Sequence, residues 1–335
     1  MPGQHKPKTV DPNTVKRPVL IVDAVNLFIR CYVAYPQMST VDGHQMGGVV
    51  GFMKKLKFLS EELQPRSIIV VWESGGSSKR RKLYSEYKRG RRPAKMNRFY
   101  EDDLPDSDEN RVHQTLSLVE FLKLSPVCQV YVNDCEADDV IAYLCKGKYR
   151  NDEKVIVSSD KDMYQLLDER TMQYSLDKKK VITMEDVYSE FHVMPWNFAL
   201  AKTICGDVSD NIPGVKGVGF KTAVNKVPML ATHQDIILQD VIDYCNSHRD
   251  DSPVLKRITE SIPQLKMNWR LVNLGSSSLT PGQARKIDST IDKFRPSASK
   301  VAFIQSLIKE GIQTFDVDSY LYSFSCIDGY SLSAR

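Results

Sequence analysis

Four short apolar runs, each followed by acidic residues, constrain this chain more than any other feature. Pro18-Val-Leu-Ile-Val22 runs into Asp23, and Ser67-Ile-Ile-Val-Val-Trp72 into Glu73. Cys128-Gln-Val-Tyr-Val132 is followed by Glu136, Asp138 and Asp139, and Lys154-Val-Ile-Val157 by Asp160 and Asp162. Runs this short, rich in β-branched residues, read as strands buried on both faces. Val49, Phe52, Met53, Leu56, Leu59 and Leu63 have helical spacing, and further helices are predicted over 111–124, 136–146 and about 161–167. Strands alternating with helices in this way predict an α/β fold with a mainly parallel sheet and helices on its faces. From about Glu185 to Lys226 the pattern turns helical around a Gly-rich hairpin, and a helix pair near 282–311 closes the chain. The expected division is a basic tail at 1–17, an α/β core at 18–190 and a helical region at 191–335.

Composition narrows the class. The 335 residues carry 46 Lys and Arg against 42 Asp and Glu, with 41% hydrophobic and 26% charged residues, which excludes a disordered polyelectrolyte. No apolar run approaches the roughly 20 residues that span a bilayer, and residues 1–17 lack a signal-peptide core. The seven cysteines are scattered without a CxxC pair, as expected for reduced thiols in a cytoplasmic protein rather than a zinc site.

The net charge of +4 hides strong local segregation. Residues 79–98 hold ten Lys or Arg and one acid, Glu86, and residues 101–109 hold six acids. Such a like-charged block is expected to be mobile or ordered by a partner rather than packed as core. Its interleaved Tyr84 and Tyr87 suit single-stranded nucleic acid, with phosphates paired and bases stacked. In a parallel sheet ligands bind beyond the carboxyl ends of the strands. Asp23, Glu73, Glu136, Asp138, Asp139, Asp160 and Asp162 should therefore converge there, joined by Asp207 and Asp210 from a Gly-containing loop. Any one of these acids could be a helix cap. Nine together repel one another unless cations intervene. With no His or Cys among them, hard Mg²⁺ or Mn²⁺ is expected rather than zinc. Two such ions roughly 4 Å apart suit phosphodiester hydrolysis. Ile212-Pro213-Gly214-Val-Lys216-Gly217-Val-Gly219-Phe-Lys221 adds glycines that let backbone approach a phosphate, with two lysines beside them.

Taken in order, Asp23 after a strand, Glu136-Ala-Asp138-Asp139, Ser159-Asp160-Lys-Asp162 with Gln165-Leu166, and Gly206-Asp207-Val-Ser-Asp210-Asn-Ile-Pro-Gly214-Val-Lys-Gly217-Val-Gly219 resemble the 5′-nuclease (flap endonuclease) family over about 18–225. Trp269 through Leu321 is similar to the C-terminal helical part of T-even bacteriophage ribonucleases H. The resemblance implies a mixed, mostly parallel sheet, a helical arch formed in part by 79–110, and a helix–three-turn–helix gripping duplex DNA. It implies Asp23, Glu73, Glu136 and Asp138 at one metal and Asp160, Asp162 and Asp210 at a second, with Asp139 and Asp207 further out. Tyr87-Lys88 matches the arch motif, so Lys88 would contact the scissile phosphate and Arg92 a neighbouring one. The hairpin around Gly214, Lys216, Gly217, Gly219 and Lys221 would bind duplex DNA and hold K⁺ through backbone carbonyls. Glu73 departs from the Asp usual at that strand end.

The residues together with this resemblance imply a monomeric, metal-dependent, structure-specific 5′-3′ nuclease with RNase H activity, in which Lys88, Asp138 and Asp160 are catalytic. Its substrates would be 5′ flaps, nicked duplexes and RNA-primed DNA, and its role primer removal in a bacterial cell, encoded by a phage. A single-stranded DNA-binding protein or a sliding clamp is the expected protein partner, though no Gln-x-x-aliphatic-x-x-aromatic-aromatic clamp motif is present. The alternatives left open are a metal-dependent ribonuclease of related acidic-site fold and a non-catalytic DNA-binding module.

Overall fold

The four apolar runs become four neighbouring parallel strands of a six-stranded sheet. In the computed structural model, which describes residues 16–35, 38–40, 43–73, 75–90, 108–275 and 278–333, β1 (Val19–Asp23) lies between β2 (Ser67–Trp72) and β4 (Lys154–Val157), and β3 (Cys128–Tyr131) lies outside β2. Beyond β4 come β5 (Thr171–Ser175), also parallel, and β6 (Lys180–Ile182), which returns antiparallel and makes the sheet mixed. Neither of these last two strands is marked by a continuous apolar run. Thr171-Met-Gln-Tyr-Ser175 mixes polar and apolar residues, and the side-chain amide nitrogen of its buried Gln173 donates to the Ser158 and Asp160 carbonyls at 2.8 and 3.0 Å.

All five residues of β1 are buried because the pleat sends alternate side chains into two apolar layers. Leu20, Val22, Ile68, Val70 and Trp72 face α1 (Ala24–Ala34), α2 (Gly47–Leu63) and the helix at Asp108–Lys123. Val19, Ile21, Ile69 and Val71 face the helix that begins at Ala137. Each fully buried aliphatic side chain contributes about 1.5–3 kcal/mol, so the sheet fixes where its acid-bearing ends emerge.

The helical region expected over 191–335 divides in its packing. Helices at Met184–Phe191, Pro195–Cys205, Phe220–Lys226, Leu238–Ser247 and Pro253–Glu260 build a third apolar cluster. By contrast Ile287 joins one face of the sheet, and Phe303, Leu307, Val317, Tyr320 and Phe324 join the other. The Tyr320 and Ser125 hydroxyls are 3.0 Å apart, tying the terminal helices to the α/β core.

The basic block differs from expectation. Ser78–Leu83 forms α3, capped by Ser77, and Arg80 within it is buried at 6% exposure. The charge is tolerated because both guanidinium Nη atoms donate to the two oxygens of buried Asp139 at 2.7 Å, while Nε donates to the Leu271 carbonyl at 3.0 Å. Residues 91–107, which include Arg92 and most of the expected arch, lie outside the described residues.

Arg80→Ala would leave the Asp139 carboxylate buried and unpaired. Urea denaturation should show a loss of about 3–5 kcal/mol. A loss no larger than that of a surface substitution would mean that the clamp is not structural.

Candidate metal and nucleic-acid site

Most of the acids are set in place by local backbone geometry. Asp23 ends β1 and begins α1, its Oδ1 accepting from the Asn26 N–H at 3.1 Å and its Oδ2 from the Ser158 hydroxyl at 3.1 Å. Asp160 accepts from the Asp162 N–H at 2.9 Å and so starts the short helix Lys161–Leu166. Asp207 accepts from both the N–H and the hydroxyl of Ser209, at 2.8 and 2.6 Å. Capping and a metal role are compatible here, since each carboxylate keeps a further lone pair for a ligand.

Two carboxylate triads result. One oxygen each from Asp138, Asp160 and Asp162 lie within 4.8 Å of one another, as do oxygens from Asp162, Asp207 and Asp210. Asp162 belongs to both. Asp23, Glu73, Asp138 and Asp160 line a single cavity of about 1370 Å³ that also receives Lys88. Oxygen-only ligand sets of this kind suit hard divalent cations.

Repulsion among the acids is answered in part by the protein's own cations. The Lys88 ammonium donates to Glu136 Oε2 at 2.8 Å and lies 3.9 Å from Asp210. Lys202, itself buried, hydrogen-bonds Asp162 and lies 2.7 Å from Asp207. Burial alone would raise the Glu136 and Asp207 carboxyls, yet Lys88 with Arg80 holds Glu136 below its ordinary value, and Lys202 with Ser209 does the same for Asp207. Elsewhere burial prevails. It pushes Asp23 up to about 6, aided by Asp160 and Glu73, and it raises Asp138, aided by Asp160. The positive charge that these carboxylates lack is what a divalent ion would bring.

Several expected roles change. Asp139 turns both oxygens to Arg80, and its Oδ2 also accepts the Glu136 N–H at 3.3 Å, so it positions Glu136 instead of reaching the ion cavity. Tyr87 is buried against Ala199, Ile212, Leu271 and Val272 and donates its hydroxyl to Glu136 at 3.0 Å, so its ring is not open to stack on a base. Tyr84 is half-buried against the same cluster. Glu73 is exposed, and its Oε1 lies toward the Gly76 turn, outside both triads. Gly214 is required by the loop itself: a Cβ there would stand 1.9 Å from the Cys205 carbonyl, and Gly206 (φ +73°) makes the reciprocal approach. Gly219, with open space around it, and the exposed Lys216 and Lys221 face solvent, as a phosphate contact requires. Gly217 takes a left-handed turn, φ +73°.

Three positioning residues escape sequence reasoning. Arg80 is hidden among nine other basic residues, and Lys202 within the apolar run of Pro195–Cys205, where a lone lysine is the only sign. Asn211 donates to the Glu86 and Arg89 carbonyls at 2.9 and 2.7 Å, tying the hairpin to the Lys88 segment.

Known proteins agree with this geometry. The profile of the 5′-3′ exonuclease N-terminal, resolvase-like domain matches residues 18–192. A 5′-3′ exonuclease of Aquifex aeolicus is 31% identical over 218 residues, spanning 65% of this chain and 71% of that one. A thermostable DNA polymerase I of Thermus aquaticus is 30% identical over 258 residues, 76% of this chain but 28% of the polymerase. Among solved structures, a bacteriophage T5 5′-exonuclease with divalent zinc bound has a similar fold, with a TM-score of 0.66 at 22% identity over 82% of this chain and 99% of that one. Carboxylates gathered at the ends of a parallel sheet thus sit within a known frame, and the chain belongs to the 5′-3′ exonuclease family. It is a nuclease, which sets aside the non-catalytic module.

The raised carboxyls give a signed pH dependence. Between about pH 4 and pH 6 the folded, metal-free state holds a proton at Asp23 that the unfolded chain has released, so stability falls as pH rises through that window, and the raised Asp138 acts in the same direction. Asp23 alone carries about 3 kcal/mol of that loss. Mg²⁺, which needs the ionised carboxylates, should raise the calorimetric Tm more near pH 7.5 than near pH 5. An equal shift at both would show that these groups do not hold the ion.

Proposed function

We propose that the chain is a structure-specific 5′ nuclease that cleaves 5′ flaps, nicked duplexes and RNA primers annealed to DNA, leaving 5′-phosphates, and that it removes primers during DNA replication. The observation that carries this reading is the pair of carboxylate triads sharing Asp162, with Lys88 3.9 Å from Asp210 of the second. Asp138, Asp160 and Asp162 would hold one Mg²⁺, with Asp23 and Glu136 adjoining, and Asp162, Asp207 and Asp210 the other. Mn²⁺ can substitute because it accepts the same oxygen donors. A potassium ion at the hairpin rests on family resemblance alone.

Bound there, two divalent ions would supply the charge that generates the nucleophile and stabilises the leaving group in phosphodiester hydrolysis. The protein's residues supply the rest. Lys216 and Lys221 engage duplex phosphates and set the register of the strand. Lys88 is kept protonated, since Glu136 and Asp138 outweigh its burial, and it offers an ammonium to the phosphate oxygens as negative charge develops. Water attacks phosphorus in line, the bond to the 3′-oxygen breaks, and the phosphate stays on the 5′ end of the product. Arg80, Asp139 and Tyr87 hold Glu136 and act through it. A bacteriophage T5 flap endonuclease, 21% identical to this chain, has been solved as a pseudo-enzyme-product complex with DNA and metal ions, which supports a DNA substrate.

The test is cleavage of 5′-labelled flap, nicked and RNA-primed substrates with Mg²⁺ or EDTA. Asp160→Asn should lose more than about a hundredfold in rate, since even the partners of metal ligands are worth 10–100-fold. Near-wild-type cleavage by that variant would overturn the mechanism. Preference for structured RNA over all three DNA substrates would favour the related ribonuclease.

A further inference from the structure

The cavity that holds the acids is larger than the acids need. It continues from Asp23, Asp138 and Asp160 along the outer side of α1, bounded by α2 on one side and by the turn after β5 on the other. Its floor there is apolar, with Val25, Ile29, Val33 and Leu176, and its walls carry Lys54, Lys55 and Lys179. Charge is therefore segregated within one continuous groove. One end is acidic, and the other is cationic, its single acid, Asp177, being occupied by Arg30 at 2.9 Å.

Aromatic surface accompanies the lysines. Phe58 is 41% exposed and Tyr35 46%, both lining the groove. Lys55 is held at the groove wall, 3.1 Å from the Tyr174 hydroxyl and 4.4 Å from the centre of the Phe58 ring. Lys54 and Lys179 are exposed and enter no ion pair among the described residues. No residue between 184 and 275 lines the groove, so it lies apart from the hairpin that would grip duplex DNA.

We infer that this groove is a second binding subsite, which seats the single-stranded part of the substrate beyond the cleavage point, with its phosphates against Lys54, Lys55 and Lys179 and a base stacked on Phe58. The inference rests on the nuclease reading above. It assigns to α1, α2 and the turn after β5 a share of flap recognition separate from the charge block at 79–98. Cations bordering an aromatic surface bind single strands without sequence preference. The subsite therefore predicts dependence on flap length rather than on flap sequence.

The experiment uses the whole chain with Ca²⁺ replacing Mg²⁺, so that substrate stays uncut, and reads fluorescence anisotropy. Duplexes carry a nick, a short flap of one or two nucleotides, or a flap of about eight, within the usual range of single-strand site sizes. Wild-type affinity should rise with flap length. Phe58→Ala and Lys54→Glu should each lower the ratio of long-flap to nicked affinity about tenfold, the loss expected for one stacked base or its equivalent. Lys57→Ala, on the same helix but outside the groove and paired with Glu61, should keep the wild-type ratio. An unchanged ratio in both groove variants overturns the subsite. So does an equal gain in affinity when the flap is replaced by duplex of the same length. The two readings fail separately. Wild-type protein that cleaves with Mg²⁺ but shows no flap-length dependence sinks the groove alone, while length-dependent binding without any cleavage sinks the nuclease reading and keeps the groove.

Discussion

Crowded carboxylates at the carboxyl edge of a buried parallel sheet are the constraint around which the rest of this molecule is arranged. The strands that carry them are apolar on both faces and cannot move outward, so the acids cannot separate to relieve their repulsion. The fold answers with internal cations placed from elsewhere in the chain. Lys88 serves Glu136 and Asp210, Lys202 serves Asp162 and Asp207, and Arg80 takes Asp139. Where burial and neighbouring carboxylates outweigh the nearby donors and cations, at Asp23 and Asp138, the carboxyls retain protons to higher pH. The local chemistry thus divides into acids already neutralised and acids awaiting a ligand.

Much of this is legible in sequence, and the exceptions have physical causes. Strands β1, β2 and β4 and the acids that follow them stand out because burial on both faces demands apolar runs. β5 escapes because it buries polar residues, among them Gln173, whose amide nitrogen is paired with two backbone carbonyls, and no pattern of hydropathy records that pairing. The charge block misleads at Arg80 and Tyr87. A cationic residue looks solvated until its carboxylate partner, 59 positions away, is known. Lys202 is hidden for the opposite reason, since the apolar helix around it advertises core. Asp139 illustrates how sequence proximity misleads: it sits next to Asp138 but on the other side of the helix, where it meets a guanidinium.

Loop chemistry links the two halves of the site. Gly206 and Gly214 let the hairpin fold back against the end of its preceding helix, closer than any side chain would permit. The same hairpin presents Asp207 and Asp210 to the sheet, and through Asn211 it holds the segment containing Lys88. Lys88 adopts a left-handed backbone, φ 53°, which costs about 1–2 kcal/mol for a residue with a side chain. Its N–H donates to the Asp210 carbonyl at 3.1 Å, so the strained conformation is braced by the metal-site loop itself.

The Arg80 clamp joins three segments: α3, the helix that begins at Ala137, and, through the Leu271 carbonyl, the helix Ile262–Val272. None of the three can peel away without stranding a charge in an apolar interior. α3, the helix that begins at Ala137 and the helix Ile262–Val272 should therefore open and close as one cooperative unit rather than as separate hinged parts. That coupling makes the acid-bearing end of the sheet a rigid reference to which both neighbouring helices are fixed.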